Sequence, residues 1–230
     1  MKMSRFFIAV LLILSSVCLP LLQAQSSYKM GVIFGGNYSS LRSDLFTTAS
    51  GRLTATLGAS VLLGFENRFE LISEINFAQK GASVKTAVFN PENRPFIRNY
   101  ALYHNSFEAG VFAGYQPLES LPLRLQAGGY FGGLFHTLNR SDKNMYVGNY
   151  ENIVEATQVT LLNESMSGID FGPAFGVSGG EGRFRVNVRY YLGLRNLYDN
   201  IAFTTENHRI KSNSIRVAIT YFFKDRSEWY

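Results

Sequence analysis

Cysteine is almost missing from this chain. The single residue, Cys18, lies near the start, and cleavage after Ala24 leaves no thiol, which excludes disulfides and thiol chemistry from the mature part. Histidine is nearly as scarce. His104, His136 and His208 form no HxxxH, HExxH or cysteine–histidine spacing, so no metal or cofactor site is read from them. Neither a phosphate-binding loop nor a nucleophile elbow is read. After the N-terminus no apolar run is long enough for a membrane helix. A net charge of +5, without a basic helix or a low-complexity tail, is too mild for a nucleic-acid partner.

The N-terminus has the marks of an export signal. Lys2 and Arg5 precede an apolar run from Phe6 to Leu14, and Leu22-Gln23-Ala24 ends on a small residue suited to cleavage before Gln25. The run is short for an anchor and Pro20 follows it. A lipid anchor on Cys18 is rejected because Val17 precedes it. Losing residues 1–24 lowers the net charge from +5 to +3.

What the chain does hold is alternation. In Arg183 to Leu197, Phe184, Val186, Val188, Tyr190, Leu192 and Leu194 fall on one face, and Arg183, Arg185, Asn187, Arg189, Tyr191, Gly193 and Arg195 on the other. Only the period of two of a strand separates these sets. Four arginines on one face do not suit a soluble core, whereas lipid outside and a polar lumen inside accommodate both faces. The 21 glycines, 13 tyrosines and 19 phenylalanines favour strands joined by many turns.

The same period recurs in Tyr28–Ser39, Arg52–Glu66, Arg68–Lys80, Ala101–Gln116, Leu121–Leu138, Met166–Ser178 and Ser212–Phe223. Eight strands is an even number, as a single-chain bacterial barrel requires. Short connections at Asn67, Pro117–Ser120 and Gly179–Gly182 alternate with longer ones, the pattern of periplasmic turns and outer loops. Pro91 and Pro95 are expected to exclude regular pairing between the third and fourth strands. Tyr28, Phe65, Phe69, Tyr115, Phe184 and Tyr221 are expected to form an outward aromatic girdle at the periplasmic side. The expected fold is all-β: an eight-stranded antiparallel up-and-down transmembrane β-barrel over residues 25–223, with a tail at 224–230.

The signal ending in Ala24-Gln25, the eight amphipathic strands, Asp170-Phe171-Gly172 and the run Arg189 to Leu197 (RYYLGLRNL) together resemble the PorT-like outer-membrane β-barrel proteins of Bacteroidetes, over roughly Tyr28 to Phe223. The resemblance implies an outer-membrane location and an eight-stranded barrel, with a role accessory to protein secretion in the family's namesake. The tail Lys224 to Tyr230 departs from the usual barrel end at a terminal aromatic, a part that Phe222-Phe223 fits.

Inward positions include Glu70, Glu74, Glu108 and Asp170, with Arg124, Arg185, Arg189, Arg195 and Arg216. An eight-stranded barrel is just wide enough for its own side chains, so these residues are expected to form a structural plug of ion pairs. A carboxylate pair for acid catalysis is disfavoured because the arginines would keep both acids ionised. No enzyme is expected. A rim hydrolase would rest on His136 and nearby serines alone. A soluble lipocalin-like barrel would need apolar residues inside, yet Gly58, Gly110, Gly132 and Gly172 fall with the charges. The expected partners are outer-membrane lipid and, through the outer loops, envelope or secretion proteins, for a monomeric barrel. The third outer loop, Asn139 to Ser165, holds Met145, Tyr146, Val147 and Tyr150. Two readings stand for it: an extra hairpin above the membrane, turned by Gly148-Asn149, or a plain outward continuation of the fifth and sixth strands.

Overall fold

A computed structural model describes residues 27–43, 49–64, 68–89, 95–135, 145–147, 157–158, 168–197 and 209–223. Within them lie β1 (Ser27–Ser43), β2 (Ala49–Gly64), β3 (Phe69–Phe89), β4 (Pro95–Tyr115), β5 (Leu123–Phe135), β6 (Met145–Val147), β7 (Thr157–Gln158), β8 (Ile169–Gly179), β9 (Phe184–Leu192) and β10 (Ile210–Phe222). Every pairing is antiparallel. Eight strands close on themselves in the order β3-β4-β5-β8-β9-β10-β1-β2 and back to β3. The seam joins the first strand to the last, from Gly31 opposite Phe222 to Ser43 opposite Ile210. Closure leaves no edge in the ring, which a bilayer demands because lipid cannot satisfy backbone N–H and C=O groups.

Side chains obey the period of two, with apolar groups outside. On β9, Phe184, Val186, Val188 and Tyr190 are exposed, while Asn187, Arg189 and Tyr191 are buried. Leu53, Leu57, Ile75, Phe107, Val111, Phe131, Phe175, Val217 and Ile219 extend the exposed belt around the ring. A soluble barrel has the reverse polarity, so the lipocalin-like alternative fails.

Two groups of rings bound this belt. Phe69 packs on Tyr115 with centroids 4.9 Å apart and Phe184 on Tyr221 at 5.2 Å, at the end with short turns. Phe77, Phe107 and Phe135 cluster toward the other end, at 5.3–6.0 Å. Eight residues of β3 separate Phe69 from Phe77, roughly 27 Å along a strand, or about 21 Å across the membrane at a tilt of about 40°, so the rings lie inside an apolar band about 25 Å tall. Phe65 of the expected girdle lies outside the described residues.

Several connections differ from the sequence reading. β3 and β4 run as one long hairpin, paired from Phe69–Tyr115 up to Phe89–Pro95. Pro95 does not exclude pairing: it is the first residue of its strand, a position where proline is tolerated. Pro91 lies outside the described residues. With 21 residues each, β3 and β4 exceed the 9–11 or so that cross a bilayer and project beyond the ring. Beyond the bilayer both faces of a strand meet water, so alternation fades while backbone pairing continues. β6 then takes the edge of β3 at Thr86–Val88, just past Val84, where the pairing with β2 ends at Ala49, and β7 pairs with β6. Val147 pairs with Thr157, and the expected turn residues Gly148 and Asn149 lie outside the described residues.

The opposite end is closed by turns. Gly180 and Gly182 lie at φ 144° and 62°, a region open to glycine. Arg68 has φ 71°; its carbonyl accepts the Gln116 amide at 3.0 Å and its Nε donates to Glu119 at 3.1 Å, tying two turns together. Glu119 also holds the Arg68 guanidinium above its ordinary pKa. The expected turn residue Asn67 lies outside the described residues. β5 begins at Leu123 rather than Leu121, so this turn runs from Gln116 to Pro122.

Candidate functional site

The interior is charged and filled. Arg185 Nη1 donates to both oxygens of Glu70, at 2.8 and 2.9 Å, and Arg124 Nε lies 3.1 Å from one of them, Oε2. One layer deeper, Arg189 Nη1 donates to Glu74 at 2.7 Å while its Nε donates to Gln126 at 2.6 Å. Deeper still, Arg216 binds Glu108 at 2.5 Å and Asn37 at 2.7 Å. Lys80 lies 2.6 Å from Glu108 and 3.2 Å from Asp170. The same Asp170 oxygen accepts from Ser212 at 2.8 Å and Tyr130 at 3.1 Å.

Strand geometry explains these partners. β3 and β9 are four places apart whichever way the ring is followed, so they face each other across its diameter. Both leave the short-turn end in the same direction, so their residues meet with a constant offset: Glu70–Arg185 and Glu74–Arg189 are each 115 residues apart. β4 and β10 are diametric too, and they supply Glu108 and Arg216. Three ion pairs therefore cross the lumen from wall to wall.

Each of the four most buried cations also meets a ring. Arg189 lies 4.1 Å over Phe112, Arg216 4.4 Å over Tyr191, Lys80 4.5 Å over Tyr130, and Arg185 5.5 Å over Phe222. A desolvated cation gains about 2 kcal/mol from such a face, and carboxylate and ring together offset its lost hydration. The rings pack on one another and on Leu62, Ile72 and Ala174 as an apolar plug within the lumen.

Lys80 is the central residue that the sequence reading left out of the network, although its inward position was visible. It stood at the expected end of the third strand, where a lysine reads as solvated. The structure continues β3 for nine more residues and buries Lys80 between two acids. Arg195 lies past the end of β9, half-buried on the bend 193–197 rather than on a strand. His104 is buried opposite Lys80 in the β3–β4 ladder, while His136 and His208 lie outside the described residues.

Gly176 to Gly180 reads GVSGG and spells the nucleophile-elbow pattern, which the sequence reading had passed over. Ser178 sits inside β8, buried, and accepts from Gln126 at 2.9 Å. It lies on no strand-to-helix turn, so the pattern lacks the context that gives it meaning. Among the described residues no three His, Cys, Asp or Glu side chains gather to hold a metal.

Comparison with known proteins agrees with this architecture. Residues 23–199 match the family described as outer membrane protein beta-barrel domain, and the chain belongs to that family. Solved structures similar to it include Neisserial surface protein A, at 12% identity and TM-score 0.46, covering 84% of this chain and 97% of the other. Others are Ail of Yersinia pestis in complex with the heparin analogue sucrose octasulfate (9%, 0.41, 86% and 99%) and OprG of Pseudomonas aeruginosa (9%, 0.40, 86% and 98%). No curated protein matches the chain. The protein is an outer-membrane β-barrel protein.

Proposed function

We propose that this barrel is a scaffold whose interior is purely structural and whose activity is protein recognition at the loop end, in the service of secretion or envelope assembly. The observation that carries the reading is the set of three wall-to-wall ion pairs, Glu70–Arg185, Glu74–Arg189 and Glu108–Arg216. A lumen spanned in this way passes no sizeable solute. The lipid face is generic, and the opposite turns are short. What remains is the projecting β3–β4 hairpin with β6 and β7 against it, a surface of the kind that carries specificity on a rigid frame.

In this reading residues 1–24 are a cleaved export signal, both ends of the mature barrel face the periplasm, and the barrel works as a monomer without catalysis. The particular kinship is with the PorT-like proteins, supported by Asp170-Phe171-Gly172 on β8 and Arg189 to Leu197 at β9. Replacing Lys143 to Thr160 with a short Gly-Ser linker tests the reading. It removes β6 and β7 and touches no strand of the ring. The barrel should still assemble and shift mobility on heating, while photo-crosslinking from the β3–β4 hairpin to its partner is lost. Undiminished crosslinking would place recognition elsewhere.

A further inference from the structure

We infer that the short-turn mouth of the barrel is a binding site for a phosphate-class oxyanion, in a vestibule where Arg124 and Arg185 converge on a single carboxylate, Glu70. The vestibule is a cavity of ≈ 220 Å³, with Lys29, Arg68, Glu70, Arg124 and Arg185 in its wall. Its inner end is blind. Leu62 and Phe222 line it and belong to the buried apolar plug. Such a space holds a small anion with several waters, and it leads nowhere.

Charge distinguishes this layer from those beneath it. Glu74 is matched by Arg189, and the two acids Glu108 and Asp170 by the two cations Lys80 and Arg216. In the vestibule, two guanidiniums share one acid. Arg68 is drawn to Glu119 in the neighbouring turn and is left out of this balance. Among the described residues, this layer thus holds one guanidinium more than it holds acids, and Arg124 and Arg185 retain 23% and 12% of their side-chain exposure. A plug built only for stability has no need of a second arginine there.

The guanidinium fork presents parallel N–H donors that suit carboxylates and phosphates. Phe222, beneath Arg185 at 5.5 Å, holds one fork in place. A phosphate group offers three strong acceptor oxygens to two converging forks, more than a monocarboxylate can present to them. Glu70 is the resident anion that an incoming oxyanion meets. The group can arrive as free phosphate or on a lipid headgroup. The inference does not depend on what the loop end recognises.

The test uses the mature chain in nonionic detergent and phosphate-free buffer, following arginine Nε–Hε correlations by NMR. Inorganic phosphate should move the Arg124 and Arg185 signals in a saturable way that chloride at matched ionic strength does not reproduce. If the same signals move only on transfer to phosphatidylglycerol nanodiscs, the ligand is the headgroup phosphate. Arg185→Gln should weaken binding about tenfold, the order expected for one lost charge-assisted hydrogen bond. Glu70→Gln removes the resident anion and should tighten binding about tenfold. Heat-modified mobility verifies that each variant is folded, and Arg124→Gln replaces Arg185→Gln if the latter does not assemble. Two results overturn the site: no response beyond that to chloride in either setting, or Glu70→Gln and the arginine variant shifting affinity in the same direction.

Discussion

Glu74 and Arg189 meet at 2.7 Å across the full width of the barrel, from strands that are nowhere neighbours in the sheet. Both side chains are almost wholly buried, at 3% exposure each. Removing either partner alone strands a charge in the interior, which costs about 3–5 kcal/mol. Glu74→Ala and Arg189→Ala should each show that loss in urea titrations followed by gel mobility. Replacing both by apolar residues of similar volume, as in Glu74→Leu with Arg189→Met, should recover most of it. A double variant no better than the singles would mean that the pair does not act as a unit.

Lys80 stands between Glu108 and Asp170. Lys80→Met should therefore destabilise the barrel by about 3–5 kcal/mol, as two acids are left with Arg216 alone. Adding Asp170→Asn removes the acid more distant from Arg216 and should restore part of the loss. Unfolding midpoints of the two variants check the order; an equal or lower midpoint for the double variant contradicts it.

Neighbouring positions on β9 should answer differently to charge. Val188 is outward and Arg189 inward. Val188→Arg places a cation toward the bilayer midplane and should cost about 2–4 kcal/mol. Its assembly into liposomes, scored against wild type, is the measurement; unchanged yield and stability would reverse the assigned face.

Reconstituted into a planar bilayer, the protein should show no stepwise ionic current, because three ion pairs and the Phe112–Tyr191 plug span the lumen. Regular current steps from protein of verified purity would show that the interior opens.

Much of the ring was legible because a bilayer writes its demand in period two. Phe184 to Tyr190 alternates without a break, and β9 lies where that pattern puts it. The extension of β3 and β4 was not legible. From Ala82 onward, neither face of the hairpin needs to be apolar, so no period marks it, and Pro95 reads as a breaker unless its place at the strand start is known. The inward position of Glu70, Glu74, Arg185 and Arg189 was visible one residue at a time. Their pairing was not, because it depends on which strands stand opposite once the ring closes. Lys80 was overlooked for the same reason: its acids come from β4 and β8, 28 and 90 residues away in sequence.

The seam has a consequence for how the protein is made. β10 is the last strand to be synthesised, and it carries Arg216 and Ser212, which bond Asn37 on β1, Glu108 on β4 and Asp170 on β8. Until β10 zips to β1, those acids have lost a cation and a hydroxyl that they hold in the finished ring. The growing sheet must therefore keep its concave side wet, and the final strand's arrival is also the moment of drying. Defects in Arg216 or Ser212 should then appear as delayed maturation, with unclosed intermediates accumulating at the insertion machinery, before they appear as weakness in barrels that have already closed.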